Sequence, residues 1–127
     1  MLGPLADTLL SIGGERVVVP HDHPEAAGFV LALVSTRGRS FDPATAVLEE
    51  GVTSDCHANT VRLWRDGRGA ICTGFGLSPD GLWRSHSWLL ATPGGHVVET
   101  TEPRTAYYGF EFDDEGAAIF APTVDAG

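Results

Sequence analysis

Four short turn-forming segments divide the second half of the chain, and they constrain its fold more than any other feature. Each is three or four residues long and rich in Pro, Gly, Asp or Ser, the residues that tight turns select. The stretches between them are rich in aromatic, β-branched and other apolar residues, as β-strands are. Connections this short join antiparallel neighbours, so the sequence predicts an antiparallel β-meander. The turn segments are residues 78–81, 92–95, 102–104 and 113–116, and the strands are predicted at residues 70–77, 82–91, 96–101, 106–112 and 117–120.

The first half of the chain is more helical in pattern. Leu5, Leu9 and Ile12 recur at helical spacing and the glycine pair at 13–14 supplies a stop, which predicts a helix over residues 4–12. Helices first and strands afterwards are typical of an α+β fold, with short helices packed on the antiparallel meander. The other predictions for this half are a strand at 15–19, a turn at 21–24, a helix or strand at 25–34, a loop at 37–40 and a helical turn or two at 44–50.

Charge and length exclude several classes of protein. Eight basic residues against seventeen acidic ones give a net charge of −9. Nucleic acids and anionic membrane surfaces bind positive patches, so neither is an expected partner. No apolar segment approaches the ~18 residues that a membrane span requires, and the first ten residues lack a secretory pattern, so we expect a cytoplasmic protein with reduced thiols. The length of 127 residues predicts a single domain, residues 1–127.

Cys56 is the first candidate catalytic residue. Ser54 and Asp55 are good N-cap residues and no Pro or Gly follows until Gly67, which predicts a helix that begins near Cys56. Unpaired backbone N–H groups and the positive end of the helix dipole converge at such a position, and both favour a thiolate. Cys56 is therefore a candidate nucleophile that still needs a base.

His86, in the second predicted strand, is the candidate base. A two-residue turn at 93–94 or 94–95 makes the numbers of paired residues sum to 187 or 189, and His86 then shares a sheet face with Glu99. A loop of odd length would offer Glu102 instead. Glu99 could accept the Nδ1 proton of His86 and hold the tautomer whose Nε2 faces the sulfur.

This order of residues resembles the papain-like and transglutaminase-like superfamily of cysteine enzymes. The cysteine at a helix start precedes His86-Ser87-Trp88, and the segment at 95–101 follows, which is similar to a pattern of His-x-aromatic, a Gly turn and Asp-x-Thr. The resemblance covers roughly residues 54–112. It implies a minimal core of that fold, with Cys56 as nucleophile, His86 as base and Glu99 as the residue that orients the base. It also implies hydrolysis or acyl transfer at an amide of a peptide or protein substrate, through a thioester and without a cofactor.

The chain also departs from these families at the site. The acid is Glu, where Asp or Asn is usual, and the chain has no Gln to serve as a papain-type oxyanion donor; Glu50 stands in that neighbourhood. Asn59 is the only side-chain amide, and it is expected to point away from the site. The second donor beside the backbone N–H of Cys56 would be a loop N–H or the indole of Trp83. Trp83 and Trp88 flank the site and are candidates for the wall of a substrate groove.

Other interpretations of the same residues remain open. A non-catalytic module that binds a basic protein is the alternative function, since the chain is strongly acidic. Arg84 and Arg104 are candidates to meet a substrate carboxylate or to pair with Glu99 or Glu102. Cys72, in an apolar strand, is expected to be structural. No metal site is predicted, because the following residues lack the spacings typical of zinc ligands: Cys56, His57, His86, His21 and His23.

Overall fold

The computed structural model describes residues 3–18, 32–91 and 95–126. Within these ranges the chain forms four helices and a mostly antiparallel sheet of seven strands, a mixed α and β architecture. The predicted turn at 21–24, most of 25–34 and the turn residues 92–94 lie outside the described residues. The elements are α1 (Gly3–Ile12), β1 (Arg16–Val17), α2 (helical at 32–37), β2 (Arg39–Phe41), β3 (Val47–Leu48), α3 (Cys56–Arg65), β4 (Gly69–Leu77), β5 (Leu82–Ala91), β6 (Val97–Glu99), β7 (Ala106–Glu111) and α4 (Asp114–Ala126).

The long hairpin of β4 and β5 forms the centre of the sheet. The strand order is β2-β7-β4-β5-β6-β3, and β1 adds to β5 from outside this path. Leu89 pairs with Val98 and Leu90 with Val97, which confirms the register in which paired numbers sum to 187. The meander is only partly confirmed, because β7 crosses back to the free edge of β4, and β1 and β3 pair in parallel with β5 and β6.

One edge of β5 is shared between two strands and has a gap between them. β4 covers the whole of the other edge, from Trp83 to Ala91. On the shared edge, β1 pairs only as far as Trp83 and β6 pairs only from Leu89 onward. The backbone between these points, which includes His86, therefore has an edge left open by the strands of the described structure, and the start of α3 lies there.

The sheet has two different faces. The helix face carries Phe75 and Trp83, and side chains from all four helices join it in the main core; examples are Leu9, Val61 and Phe120. The opposite face carries His86 and Trp88, because alternate residues of β5 point to opposite sides. We call it the site face. Its smaller core contains Phe41, Cys72, Trp88, Val97 and Tyr107.

The sequence misassigned three segments. The segment 44–50 contains β3 where helical turns were predicted, since Ala44 N–H bonds the Asp42 carboxylate at 2.8 Å in a local turn and residues 47–48 then pair with β6. The predicted loop at 37–40 contains the start of β2. The predicted strand at 117–120 is the middle of α4: Asp113 Oδ1 accepts a bond from Gly116 N–H at 2.7 Å and so begins a helix where the sequence indicated a β-turn.

The remaining elements are found where they were predicted, although β1 and β6 are shorter than the predicted strands at 15–19 and 96–101. These elements are α1, α3, β1, β4, β5, β6 and β7. None of the helices within residues 3–18, 32–91 and 95–126 has the length and apolar character needed to cross a membrane.

Candidate active site

Cys56 is the first residue of α3, and a buried amide fixes the loop that leads into it. Asn59, only 3% exposed, accepts a bond from Val52 N–H at 3.0 Å and donates to Val52 O at 2.8 Å. Gly51 packs on this amide, where an added Cβ would lie 2.5 Å from the side chain of Asn59. The loop then turns through Ser54 at a φ of +59°. The Asn59 amide is thus engaged with the loop at Val52 and holds the entry to the helix.

The first turn of α3 keeps its backbone donors available. Asp55 occupies the N-cap position, yet its side chain makes no capping hydrogen bond. The N–H groups at the start of a helix have no intrahelical partner and point along the axis, where they attract negative charge. The predicted position of Cys56 at a helix N-terminus is therefore confirmed, although neither Ser54 nor Asp55 caps the helix through its side chain.

The gap in the edge of β5 lets Cys56 meet groups from both faces of the sheet. α3 packs on the helix face, whereas the His86 ring belongs to the site face. The Cys56 sulfur accepts a bond from the backbone N–H of Ser87 and interacts with the His86 ring closely enough for each side chain to shift the other's pKa. A paired strand at this point would occupy the Ser87 N–H and block the approach. The open edge is thus what allows the thiol and the imidazole to meet.

His86 is held by Glu99 through the nitrogen opposite to the one predicted. Nε2 of His86 lies 2.8 Å from Glu99 Oε1, and both side chains are buried. Nδ1 is buried and has no partner with full hydrogen-bond geometry among the described residues, so it is the ring atom left for the sulfur. The prediction that Nδ1 would face Glu99 is therefore wrong. The physical role is the same, because a carboxylate that fixes one nitrogen determines the tautomer at the other.

The carboxylate of Glu99 is 1% exposed and fully engaged. Oε1 also accepts a 2.8 Å bond from the Tyr107 hydroxyl, and Oε2 accepts bonds of 3.0 Å from both N–H and Oγ1 of Thr101. Burial opposes its ionisation, yet the hydrogen bond and charge of His86, with the other donors, lower the pKa of Glu99 to about 2. At neutral pH Glu99 is therefore the ionised partner of the imidazole.

The electrostatic balance at Cys56 favours the thiolate. Burial is the largest influence and opposes ionisation, but the hydrogen bond and charge of His86 and the Ser87 N–H together lower the pKa of Cys56 below its usual value, against a smaller opposing influence from Glu99. Burial likewise opposes the charged imidazole, yet its contacts with Cys56 and Glu99 raise the pKa of His86. The two shifts have the signs of a thiolate–imidazolium pair resting on a carboxylate.

Gly76 makes room for the imidazole on the site face. β4 lies between β5 and β7, and His86 stacks with Tyr107 across it at 6.1 Å between ring centroids. A Cβ on Gly76 would lie 3.1 Å from His86 Cδ2 and 3.1 Å from Arg104 Cγ. Any other residue here would press on the ring, so the glycine sets where His86 sits.

A hydrogen-bonded chain ties α3 to β5 beside the thiol. His57 Nδ1 lies 2.6 Å from Ser87 Oγ, Ser87 Oγ donates to Thr73 Oγ1 at 3.0 Å, and Thr73 Oγ1 donates to His86 O at 3.4 Å. A serine hydroxyl has one proton, so Ser87 accepts from His57 and Nδ1 of His57 carries a proton. The chain holds the residue after Cys56 to the residue after His86.

Trp83 and Trp88 lie in the core and do not wall a groove. Both are 0% exposed and they belong to opposite faces of the sheet. The Trp83 indole N–H donates to Gly13 O at 2.9 Å, so it is not available as an oxyanion donor. Trp88 packs against Phe41 and Tyr107. The groove role predicted for both residues is corrected to a packing role.

Several contributors were missed by the sequence analysis, for different reasons. Thr101 follows Glu99 by two residues, a spacing at which a Thr commonly bonds a nearby carboxylate or backbone group, so this signal was present. Tyr107 could not be found from a simple meander, because it reaches Glu99 only when β7 pairs with β4. Ser87 contributes chiefly through its backbone N–H, which leaves no mark in the sequence.

An open cleft of about 780 Å³ borders the site. It lies next to each member of the triad along the chain: Ser54 precedes Cys56 by two residues, Arg84 precedes His86 by two, and Thr100 follows Glu99. The remaining wall includes the β4–β5 turn and the segment that leads to Arg104. Cys56, His86 and Glu99 do not line the cleft themselves, so it adjoins the triad through the residues that neighbour the triad in sequence.

Two of the other predictions concern Cys72 and metal ligands. Cys72 is 0% exposed within β4, and burial with the nearby Glu111 raises the pKa of its thiol. In the part of the chain that the structure describes, no three His, Cys, Asp or Glu side chains cluster as a metal site would require. His21 and His23 lie outside it.

Comparisons of the chain with protein-family models, with curated proteins and with solved structures find no match. The function is therefore inferred from the geometry of the site.

Proposed function

We propose that this chain is a cysteine-dependent enzyme that cleaves or transfers an acyl group at an amide carbonyl of a peptide or protein. One observation carries the proposal: a single buried imidazole is bonded to a buried carboxylate through one nitrogen and presents the other to a thiol at a helix N-terminus. Nucleophile, base and orienting acid in this order are the parts that covalent acyl transfer requires.

The chemistry follows from the two ring nitrogens. The Cys56 thiolate attacks the carbonyl carbon, and the charge that develops on the carbonyl oxygen is met by N–H groups of the first turn of α3. The Nδ1 proton of His86 passes to the departing amine as the carbon–nitrogen bond breaks and the thioester remains. Water or a second amine then gives its proton to Nδ1 and attacks the thioester, which releases the acyl product and restores the thiolate–imidazolium pair. Glu99 stays ionised and holds the ring throughout.

We further propose that the core is of the papain-like or transglutaminase-like type. The support is the arrangement of parts: a helix whose first residue is the cysteine packs on antiparallel strands, and neighbouring strands supply the histidine and the acid. The use of Glu99 in place of Asp or Asn is compatible with this, since four hydrogen bonds fix its carboxylate.

A minimal acyl donor tests the proposal without knowledge of the natural substrate. p-Nitrophenyl acetate should acetylate Cys56 with a burst of p-nitrophenolate, and acid quenching with peptide mapping should locate the acetyl group. Cys56→Ser should remove the burst, His86→Ala should slow it by roughly 10²-fold or more, and Cys72→Ala serves as the matched control that retains it.

The outcome that would contradict the proposal is equally definite. Acetylation of Cys56 no faster than that of the same thiol in the urea-unfolded protein, with no effect of His86→Ala, would rule out an activated nucleophile. A non-catalytic protein-binding module would then be the better interpretation of the same scaffold.

A further inference from the structure

We propose that the cleft beside the triad recognises a carboxylate of the substrate, and that Arg104 is the residue that binds it. This inference rests on the proposed function, because it names the substrate class of the same site. The starting observation is that the cleft contains two arginines, Arg84 and Arg104, whose hydrogen-bonding states are very different.

Arg84 is already neutralised. Its guanidinium forms a two-pronged ion pair with Asp80, with Nη2–Oδ2 at 2.8 Å and Nη1–Oδ1 at 3.2 Å. The pair is exposed and joins residues only four positions apart. Because Asp80 already balances the guanidinium of Arg84, little of its charge is available to a ligand.

Arg104 has no carboxylate partner among the described residues. Its Nη1 donates to the backbone O of Glu102, and its Nε is buried with no partner in the described part of the chain. A guanidinium has five N–H donors, and an unsatisfied donor that has been removed from water is costly. Arg104 is thus a half-buried cation whose Nε–H is removed from water and has no partner among the described residues.

The side chain of Arg104 packs near the imidazole of His86. An added Cβ on Gly76 would touch both Arg104 Cγ and His86 Cδ2, each at 3.1 Å, so the arginine stem flanks the imidazole ring. The guanidinium also influences the nearby Tyr107 hydroxyl, which bonds Glu99. A ligand group held by Arg104 would therefore lie inside the cleft, bound by a residue whose stem packs near the imidazole.

The acidic residues of the cleft do not supply a carboxylate partner for Arg104. Glu50 and Glu102 are exposed, so water solvates their carboxylates and they need no partner. Arg104 is half-buried and is the only cation of the cleft, within the described residues, that lacks an ion pair. A carboxylate is planar and takes two N–H donors of a guanidinium at once, which makes it the fitting ligand. It could be the terminal carboxylate of a peptide or an acidic side chain next to the reacting carbonyl.

Thiol-directed probes that differ only in charge test this inference. Iodoacetyl-glycine and iodoacetyl-glycinamide compare a terminal carboxylate with its neutral amide, and iodoacetyl-glutamic acid α-amide and iodoacetyl-glutamine α-amide do so for a side chain. The readout is the ratio of the rates at which the charged and neutral members of a pair alkylate Cys56. We expect a ratio of at least about 5 for one of the two pairs, and the pair that shows it identifies the source of the carboxylate.

Two variants locate the cause of the ratio. Arg104→Gln should lower it to about 1, and Arg104→Lys should retain an intermediate value because it keeps the charge and loses the planar fork. Arg84→Gln is the matched control, since it removes the same charge from the same cleft, and it should keep most of the preference. A wild-type ratio at or below 1 for both pairs, or an equal loss in the Arg84 and Arg104 variants, would overturn the inference.

The test separates this inference from the proposed function. The ratio can be measured at pH 10, where an unactivated thiol is also ionised in large part. Slow alkylation of Cys56 near neutral pH with a ratio above about 5 at pH 10 would leave the carboxylate site standing and remove the activated nucleophile. Fast alkylation near neutral pH with a ratio of 1 would do the reverse.

Discussion

The two cysteines of this protein lie in regions that shift the pKa of their thiols in opposite directions. Cys72 is 0% exposed in the middle of β4, and burial together with Glu111 raises the pKa of its thiol. Cys56, at the junction of α3 and β5, is also largely withdrawn from water, and burial opposes its ionisation too. Its pKa is lowered all the same, because the His86 ring and the Ser87 N–H stabilise the charged form.

The difference shows that burial alone does not determine whether the pKa of a thiol rises or falls. What separates the two regions is the state of the neighbouring backbone and the presence of one charged ring. β4 is paired on both edges around Cys72, with β5 and β7. β5 has an open edge beside His86, so a donor and an imidazole are left for Cys56.

Removal of the reactive thiol should have the largest effect. Cys56→Ser should lower the rate of acyl transfer by at least about 10³-fold, since the weaker nucleophile loses the covalent step. The measurement is the burst of p-nitrophenolate described above. Cys72→Ser should change that rate by less than about 2-fold, even if the buried hydroxyl lowers the free energy of unfolding. Equal loss in both variants would erase the contrast between the two regions.

Neutralising the carboxylate should have the next largest effect. Glu99→Gln keeps the shape and removes the charge, so the pKa of His86 should fall and the rate of acyl transfer should drop by roughly 10²-fold. NMR titration of the His86 ring and the burst assay measure the two results. An unchanged turnover would remove Glu99 from the mechanism.

The lowered pKa of Glu99 implies that the free energy of unfolding depends on pH. Its pKa is lowered from 4.5 to about 2 in the folded protein, so its contribution is present above pH 4.5 and is lost as the pH falls toward 2. The linked free energy is on the order of 3 kcal/mol. Urea unfolding at a series of pH values should show this loss in the wild-type protein, and the curve of Glu99→Gln should lack it. Parallel curves for the two proteins would contradict the low pKa.

Crowding the imidazole should have a moderate effect. Gly76→Ala places a methyl group 3.1 Å from His86 Cδ2, so the ring must shift by a few tenths of an ångström. A rate loss of roughly 5-fold is expected, with a rise in the pKa of Cys56 measured by alkylation against pH. Gly13→Ala is the control, because its Cβ meets Leu77 Cδ2 at an ordinary 3.5 Å. Equal effects of the two substitutions would deny Gly76 a positioning role.

Loss of one supporting donor should have the smallest effect. Tyr107→Phe removes the hydroxyl that donates to Glu99 Oε1 at 2.8 Å and leaves the other donors in place. The pKa of Glu99 should rise, and the free energy of unfolding at pH 7 should fall by about 1–2 kcal/mol. Acyl transfer should change by only about 2-fold. A loss as large as that of Glu99→Gln would show that the tyrosine itself takes part in the reaction.

The sequence was informative where a pattern was long and local. The start of α3 at Cys56, the β4–β5 hairpin and the register that brings His86 to Glu99 were all predicted, because an uninterrupted helical run, strand alternation and turn length are encoded within a few residues. The short strands β2 and β3 were missed, since their segments carry local signals for a loop and for a helix start, and they become strands only by pairing with distant strands.

Other features were missed because they arise only from tertiary packing. α4 has apolar residues at helical spacing, including Ala117, Phe120 and Ala121, but its short apolar run after an acidic turn was interpreted as a strand. The ring nitrogen that faces Glu99 depends on how the imidazole packs among neighbours from distant parts of the chain, such as Gly76 and Tyr107. The open edge of β5 depends on where β1 and β6 stop. No local pattern in the sequence indicates the orientation of the ring or the open edge of the strand.

The most direct test of the thiolate–imidazolium pair is the rate of iodoacetamide alkylation at each cysteine as a function of pH, resolved by peptide mapping. Cys56 should react with a half-point well below the ~8.5 of an ordinary thiol, and Cys72 should stay unreactive until the protein is unfolded. A half-point for Cys56 at or above that of an ordinary thiol would contradict the pairing with His86.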